Sequence, residues 1–94
     1  MYQLSNFKRG DFYALSNKRI LGNTIYQKDF SECFIQEVNF LNCTVNATSF
    51  LASNCDDLTF DNCTVQNTSF RKSTLENFIF KNCRLTNVVF RALN

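Results

Sequence analysis

Proline, histidine and tryptophan are absent from these 94 residues, and glycine occurs only twice. Without His the chain lacks the usual general base and the commonest metal ligand, and it can form neither a Ser-His nor a Cys-His pair. No stretch approaches the roughly 18 apolar residues of a membrane span, so no membrane segment is expected. The opening MYQLSNFKRG lacks the apolar core of a secretory signal. A chain this short has room for one domain, residues 1–94. At 45% hydrophobic and 19% charged residues, with a formal charge of +2, it is neither disordered nor a strong polyanion binder. These features set the expectation of a cytoplasmic protein, luminal or extracellular only if it is a fragment of something larger. The near absence of Pro and Gly poses a question, since both are common turn formers. Either the chain is helical or other residues make its turns. What is abundant is phenylalanine, with eleven residues.

Seven of these, Phe30, Phe40, Phe50, Phe60, Phe70, Phe80 and Phe90, fall ten residues apart. Midway between them stand Ile25, Ile35, Val45, Cys55, Val65, Leu75 and Leu85, so the true period is five. Two residues before most centres the side chain is small, as at Cys33, Val38, Cys43, Thr48, Ser53, Cys63, Thr68, Ser73, Cys83 and Val88. A longer period overlies this one. FLNCTVNATSF (40–50) returns as FDNCTVQNTSF (60–70) and as FKNCRLTNVVF (80–90), a repeat of twenty. A period of five suits neither a helix nor a simple alternating strand. It does suit a square coil, in which four five-residue sides bring the chain back above its start and successive turns pair as parallel strands about 4.8 Å apart. Centres and the small residues before them then point inward. The seven phenylalanines with Val45, Val65, Leu75 and Leu85 are the expected core.

Units such as SNFKR (5–9), GDFYA (10–14), KDFSE (28–32) and VNFLN (38–42) resemble the consensus of the pentapeptide-repeat proteins. That resemblance covers about residues 5–14 and 18–92. It implies an all-β fold, a right-handed quadrilateral parallel β-helix of about four to five coils. The step from Phe12 to Ile20 is eight residues, so the register is expected to break around Leu15–Asn17. Residues 1–22, with Phe7 and Phe12 as centres, then read as an irregular coil or cap and 23–92 as regular repeats. Leu58 and Phe78 are large where a small residue is usual, and coils there should widen. Phe34 and Ile79 should lie outward.

Five Cys without a secretory signal point to free thiols in a reducing compartment. Cys43, Cys63 and Cys83 form one inward column, but ligands spread along a line do not converge on a metal. They read as small core filler, like Cys55, and no cofactor is expected. Asn42, Asn62 and Asn82, with Thr44 and Thr64, stack at corners, where such side chains bond to backbone and turn the chain. The same repeat generates sequons at Asn42, Asn46, Asn62 and Asn67 and joins two units as Arg9-Gly10-Asp11.

Charge changes sign along the chain. Residues 1–28 and 71–94 are each +4, while 29–70 hold Asp29, Glu32, Glu37, Asp56, Asp57 and Asp61 and no cation. This describes basic ends and an acidic waist. Some proteins of the resembled family protect DNA gyrase by imitating the acidic surface of a duplex. A waist of −6 imitates poorly a polymer with one charge per about 1.7 Å. The basic cluster Arg71, Lys72, Lys81, Arg84, Arg91 is too small to indicate nucleic acid.

Solenoid ends expose an unpaired coil and are normally capped. Residues 1–22 could cap one end, but only Arg91–Asn94 follow the last full coil. Val88, Val89, Phe90 and Arg91 are therefore the expected interaction edge, pairing with an unknown protein or with a second copy as a homodimer. The expected function is non-enzymatic: a scaffold or binding module acting through its sides or open edge. A gyrase- or topoisomerase-directed role of the quinolone-resistance type is the first alternative. The second comes from FSECF (30–34), FLNCT (40–44) and FKNCR (80–84), which resemble the luminal domain of synaptic vesicle glycoprotein 2. That resemblance implies a luminal or extracellular receptor domain with its sequons in a glycosylating compartment.

Overall fold

The computed structural model describes residues 14–91. Eight strands follow one another: β1 (Ala14–Leu21), β2 (Thr24–Tyr26), β3 (Phe34–Leu41), β4 (Thr44–Asn46), β5 (Asn54–Asp61), β6 (Thr64–Ser69), β7 (Thr74–Lys81) and β8 (Arg84–Val89). Odd strands stack as one parallel sheet and even strands as another, each in the order of the chain. Every register pairs residues twenty apart, for example Phe40 with Phe60 and Phe60 with Phe80. The described residues thus form a β-solenoid of about four turns. Each odd strand covers two sides of the square, an even strand covers the third, and the fourth is joined through bridges such as Ser49 with Ser69.

The turning device recurs every five residues. Two positions after each centre the backbone is left-handed, from Asn17 (φ 53°) through Gly22 (φ 67°), Gln27, Glu32 and onward to Asn87 (φ 53°). Left-handed backbone costs an L-residue roughly 1–2 kcal/mol, least for Asn and Asp. Here the cost is offset by the next coil. The Asn42 N–H donates to the Asp61 carbonyl (3.0 Å), that of Asn62 to Lys81 (2.8 Å) and that of Ala52 to Arg71 (2.8 Å). Asn42 and Asn62 do turn the chain, and the Asn62 amide also donates to Asn42 Oδ1 (2.7 Å). Thr44 and Thr64 instead begin strands and take no part in the turn.

Inside, the two phenylalanine columns are ladders of stacked rings. Phe30–Phe50–Phe70–Phe90 stand 4.9, 4.6 and 5.3 Å apart between centroids. Phe40–Phe60 stand 4.7 Å apart and Phe60–Phe80 5.2 Å. The ladders meet edge to face, as at Phe50–Phe60 (6.2 Å, 87°). Phe30, Phe40, Phe50, Phe60 and Phe70 are fully buried, as are Val45 and Val65, each contributing on the order of 1.5–3 kcal/mol by transfer out of water. Cys33, Cys43, Thr48, Ser53 and Cys63 fill the small inward positions.

At Val38, Leu58 and Phe78 one small-residue column grows along the stack, and its pairing stays in register. Phe34 and Ile79 lie outward, more than half exposed. The regular stack begins earlier than the spacing indicates. β1 pairs with β3 from Ala14 onward, Leu15 is a buried centre, and Asn17 already takes the left-handed turn. The sequences around Phe7, Phe12 and Arg9-Gly10-Asp11 lie outside the described residues.

Candidate functional site

The two ends of the described stack differ. Leu15, Ile20, Ile25 and Phe30, the centres of the first coil, are all at most 1% exposed. In the last coil the equivalent groups open. Leu75, Phe78, Phe80, Cys83 and Val88 are half-buried, Leu85 is 43% exposed and Phe90 36%. One coil below, Cys55, Leu58, Phe60, Cys63, Val65 and Phe70 are sealed. The cause is position, because nothing among the described residues stacks on the last coil. The columns themselves stay apolar to the end, so a change of residue type does not account for the exposure. Phe90 rests its face on Phe70 and its edge near Phe78 and Phe80 (6.3 and 6.1 Å), leaving its outer face bare.

The main chain is equally unfinished. In lower coils the N–H groups of Asn42, Asn62, Phe50 and Phe70 donate to the coil above, and the carbonyls of Cys43, Cys63, Ser53 and Thr48 accept from it. The corresponding groups of the last coil, the N–H of Asn82, Asn87 and Phe90 and the carbonyls of Ser73, Cys83 and Val88, have no next coil among the described residues. Unpaired strand edges of this kind accept a further strand. Exposed Lys81, Arg84 and Arg91 rim this end, with Glu76 the one carboxylate of the coil. Val88, Val89, Phe90 and Arg91, expected as the edge, all lie here. The periodicity also places Leu75, Phe80, Leu85 and Phe90 in the sealed core, and there the structure differs. These positions are open because no further coil among the described residues lies on them.

Away from the end, three of the six acidic residues of the waist gather on one side. Glu37, Asp56, Asp57 and Glu76 share one side, with Asp56 in register with Glu76 and Glu37 and Asp57 at successive left-handed turns. The segments that build that side, 14–17, 33–37, 53–57 and 73–77, contain no Lys or Arg. Charge is therefore sorted by face as well as along the axis.

The thiol column is filler with directed hydrogen bonds. Sγ of Cys43, Cys63 and Cys83 donates to the carbonyl of Ile20 (3.3 Å), Phe40 (3.4 Å) and Phe60 (3.1 Å) in the coil below. All five Cys are free thiols and only Cys83 is not buried. Burial pushes the Cys55 thiol up to about 11. Its hydrogen bond with Cys43, and then burial, push Cys63 far above the ordinary range, while the Cys63 contact brings Cys43 down to about 7. Among the described residues no three metal-ligating side chains come together, and no helix is long and apolar enough to cross a membrane.

The pattern of the pentapeptide repeat region matches residues 24–92. The chain belongs to the pentapeptide-repeat family. Its parallel strands form the quadrilateral β-helix that this membership implies. The structure of trypsin-treated QnrB1, a plasmid-mediated fluoroquinolone resistance protein, is similar over 88% of this chain and 46% of that one, with a TM-score of 0.76 and 20% identity. This pentapeptide-repeat chain thus spans less than half the length of the QnrB1 chain it matches. No curated protein matches it by sequence.

Proposed function

We propose that this protein is a non-enzymatic protein-recognition module that works through the open end of its last coil. One observation carries the reading: side chains that are sealed in the lower coils are exposed in the last one, beside main-chain groups without a next strand among the described residues. A sequence with no His supports a binding role over a catalytic one. Five free thiols suit a reducing, cytoplasmic setting. Val88, Val89, Phe90 and Arg91 form one border of the contact. The completing strand comes from a second copy, as a homodimer, or from another protein, and light scattering over a range of concentrations separates the two.

The test compares three immobilised baits: the wild type, an end variant with Leu85→Asp and Phe90→Asp, and a side variant with Glu37→Gln and Asp57→Asn. Proteins held by the wild type should be lost from the end variant and kept by the side variant. Retention of the same proteins by a folded end variant overturns the proposal.

A second reading rests on the single-signed side carrying Glu37, Asp56, Asp57 and Glu76. Such a face suits a protein groove built for the phosphate backbone, and QnrB1 is described as a fluoroquinolone resistance protein. DNA gyrase supercoiling, with and without a fluoroquinolone, tests it. No change in either assay removes this reading.

A further inference from the structure

We infer that the open end receives the strand edge of an acidic protein in preference to a second copy of this chain. The inference rests on the reading of that end as the recognition surface, and it names the chemistry of the partner. Three features of the end define the occupant. Its centre is apolar, so the partner must bring apolar side chains. No coil among the described residues pairs the N–H groups of Asn82, Asn87 and Phe90 or the carbonyls of Ser73, Cys83 and Val88, so the partner must bring an unpaired strand.

Its rim is the third feature. Lys81 stands in register above Asp61, and Arg84 above Thr64, so columns that are acidic or neutral lower in the stack become cationic at the end. Arg91 completes the rim, and Arg71 and Lys72 lie one coil below it. Five cations in residues 71–91 face a single carboxylate, Glu76. Two copies meeting end to end would press these rims together, and like charges brought opposite one another across strands are unfavourable. Carboxylates around an apolar strand edge would complement them and steer the encounter. A nucleic acid wants cations along a groove and leaves the apolar centre uncovered, which favours a protein.

A charge-reversed copy of this protein supplies a probe with the right apolar centre, strand edge and rim. It carries Lys81→Glu, Arg84→Glu and Arg91→Glu, all exposed positions, and its fold is checked by circular dichroism. Labelled wild type is titrated with this copy, with unlabelled wild type, and with a single-stranded DNA oligonucleotide. At low ionic strength the mixed pair should form at least about tenfold more tightly than either protein with itself. That advantage should fade as salt approaches about 1 M, where the screening length falls to about 3 Å, while wild-type self-association should tighten. Leu85→Asp with Phe90→Asp in the labelled partner should abolish the mixed pair. A mixed pair no tighter than the wild type with itself overturns the inference, as does a tight salt-insensitive wild-type dimer or preferred binding of the oligonucleotide. A mixed pair that forms equally well with the Leu85→Asp, Phe90→Asp partner removes the end as recognition surface, and the inference falls with it.

Discussion

Each ring in the middle of a phenylalanine ladder is held on both faces, so its loss leaves a void that no neighbour can fill. Phe60 lies between Phe40 and Phe80 and meets Phe50 and Phe70 edge-on. Phe60→Ala should cost about 3–5 kcal/mol in urea unfolding. Phe90→Ala should cost well under half of that, because Phe90 is stacked on one face only. The thiols divide in the same way. Under native conditions a disulfide-exchange reagent should label Cys83 first and reach the other four only on unfolding. A second fast-reacting thiol would contradict the burial. Cys55 also links stability to pH. Its folded value lies near 11 against an ordinary 9.0, so folding favours the protonated thiol. That contribution is complete below pH 9 and is lost as pH rises from about 9 to about 11, amounting to about 2–3 kcal/mol. Denaturant titrations across this interval should show the decline, and Cys55→Ala should make it shallower, the remainder coming from Cys63, whose thiol is also raised.

The five-residue side is the element, and its two halves differ in how openly the sequence announces them. The inward half is plain, because one apolar centre every five residues writes each column directly into the chain. The turning half is legible where Gly, Asn or Asp stands at the turn, as at Gly22, Asn42, Asp57, Asn62, Asn67, Asn77, Asn82 and Asn87. Gln27, Glu32, Glu37, Ala47, Ala52 and Lys72 turn in the same left-handed way although nothing in their chemistry favours it. The ladder to the next coil imposes the conformation and overrides local preference, so residue type alone does not reveal it. Ala47 and Ala52 therefore sit in a strained conformation without a polar side chain to compensate. Ala52→Gly should raise stability by about 0.5–1 kcal/mol, the relief of left-handed backbone less the added freedom of the unfolded chain. Thermal unfolding would read this, and a loss of stability there would show that the methyl group contributes packing of its own.

At the scale of the whole molecule, linear order misleads where stacking matters. The acidic stretch from Asp29 to Asp61 reads as an even belt, yet folding every twentieth residue onto one column gathers three of its six acids, Glu37, Asp56 and Asp57, on one side together with Glu76. The exposure of Leu75, Phe80 and Leu85 is equally hidden, since their columns repeat the chemistry of the coils below and only the lack of a following coil among the described residues distinguishes them. Stability should therefore fall along the axis. In native-state hydrogen exchange the amides of Phe50 and Phe70, bonded to the coil above at 2.8 and 2.7 Å, should be strongly protected, and that of Phe90 should exchange much faster. Equal protection of Phe70 and Phe90 would show that the end is covered.

The contrast between the sealed first coil and the bare last one also sets a stoichiometry. A rod with two bare ends can add subunits head to tail without limit and become a fibre. Among the described residues this stack bares its apolar columns at one end only. Parallel strands with stacked aromatic columns are the arrangement that fibrils exploit, yet the described stack offers bare apolar columns only at its last coil. Complexes built on it should contain a single copy for each partner strand, however high the concentration.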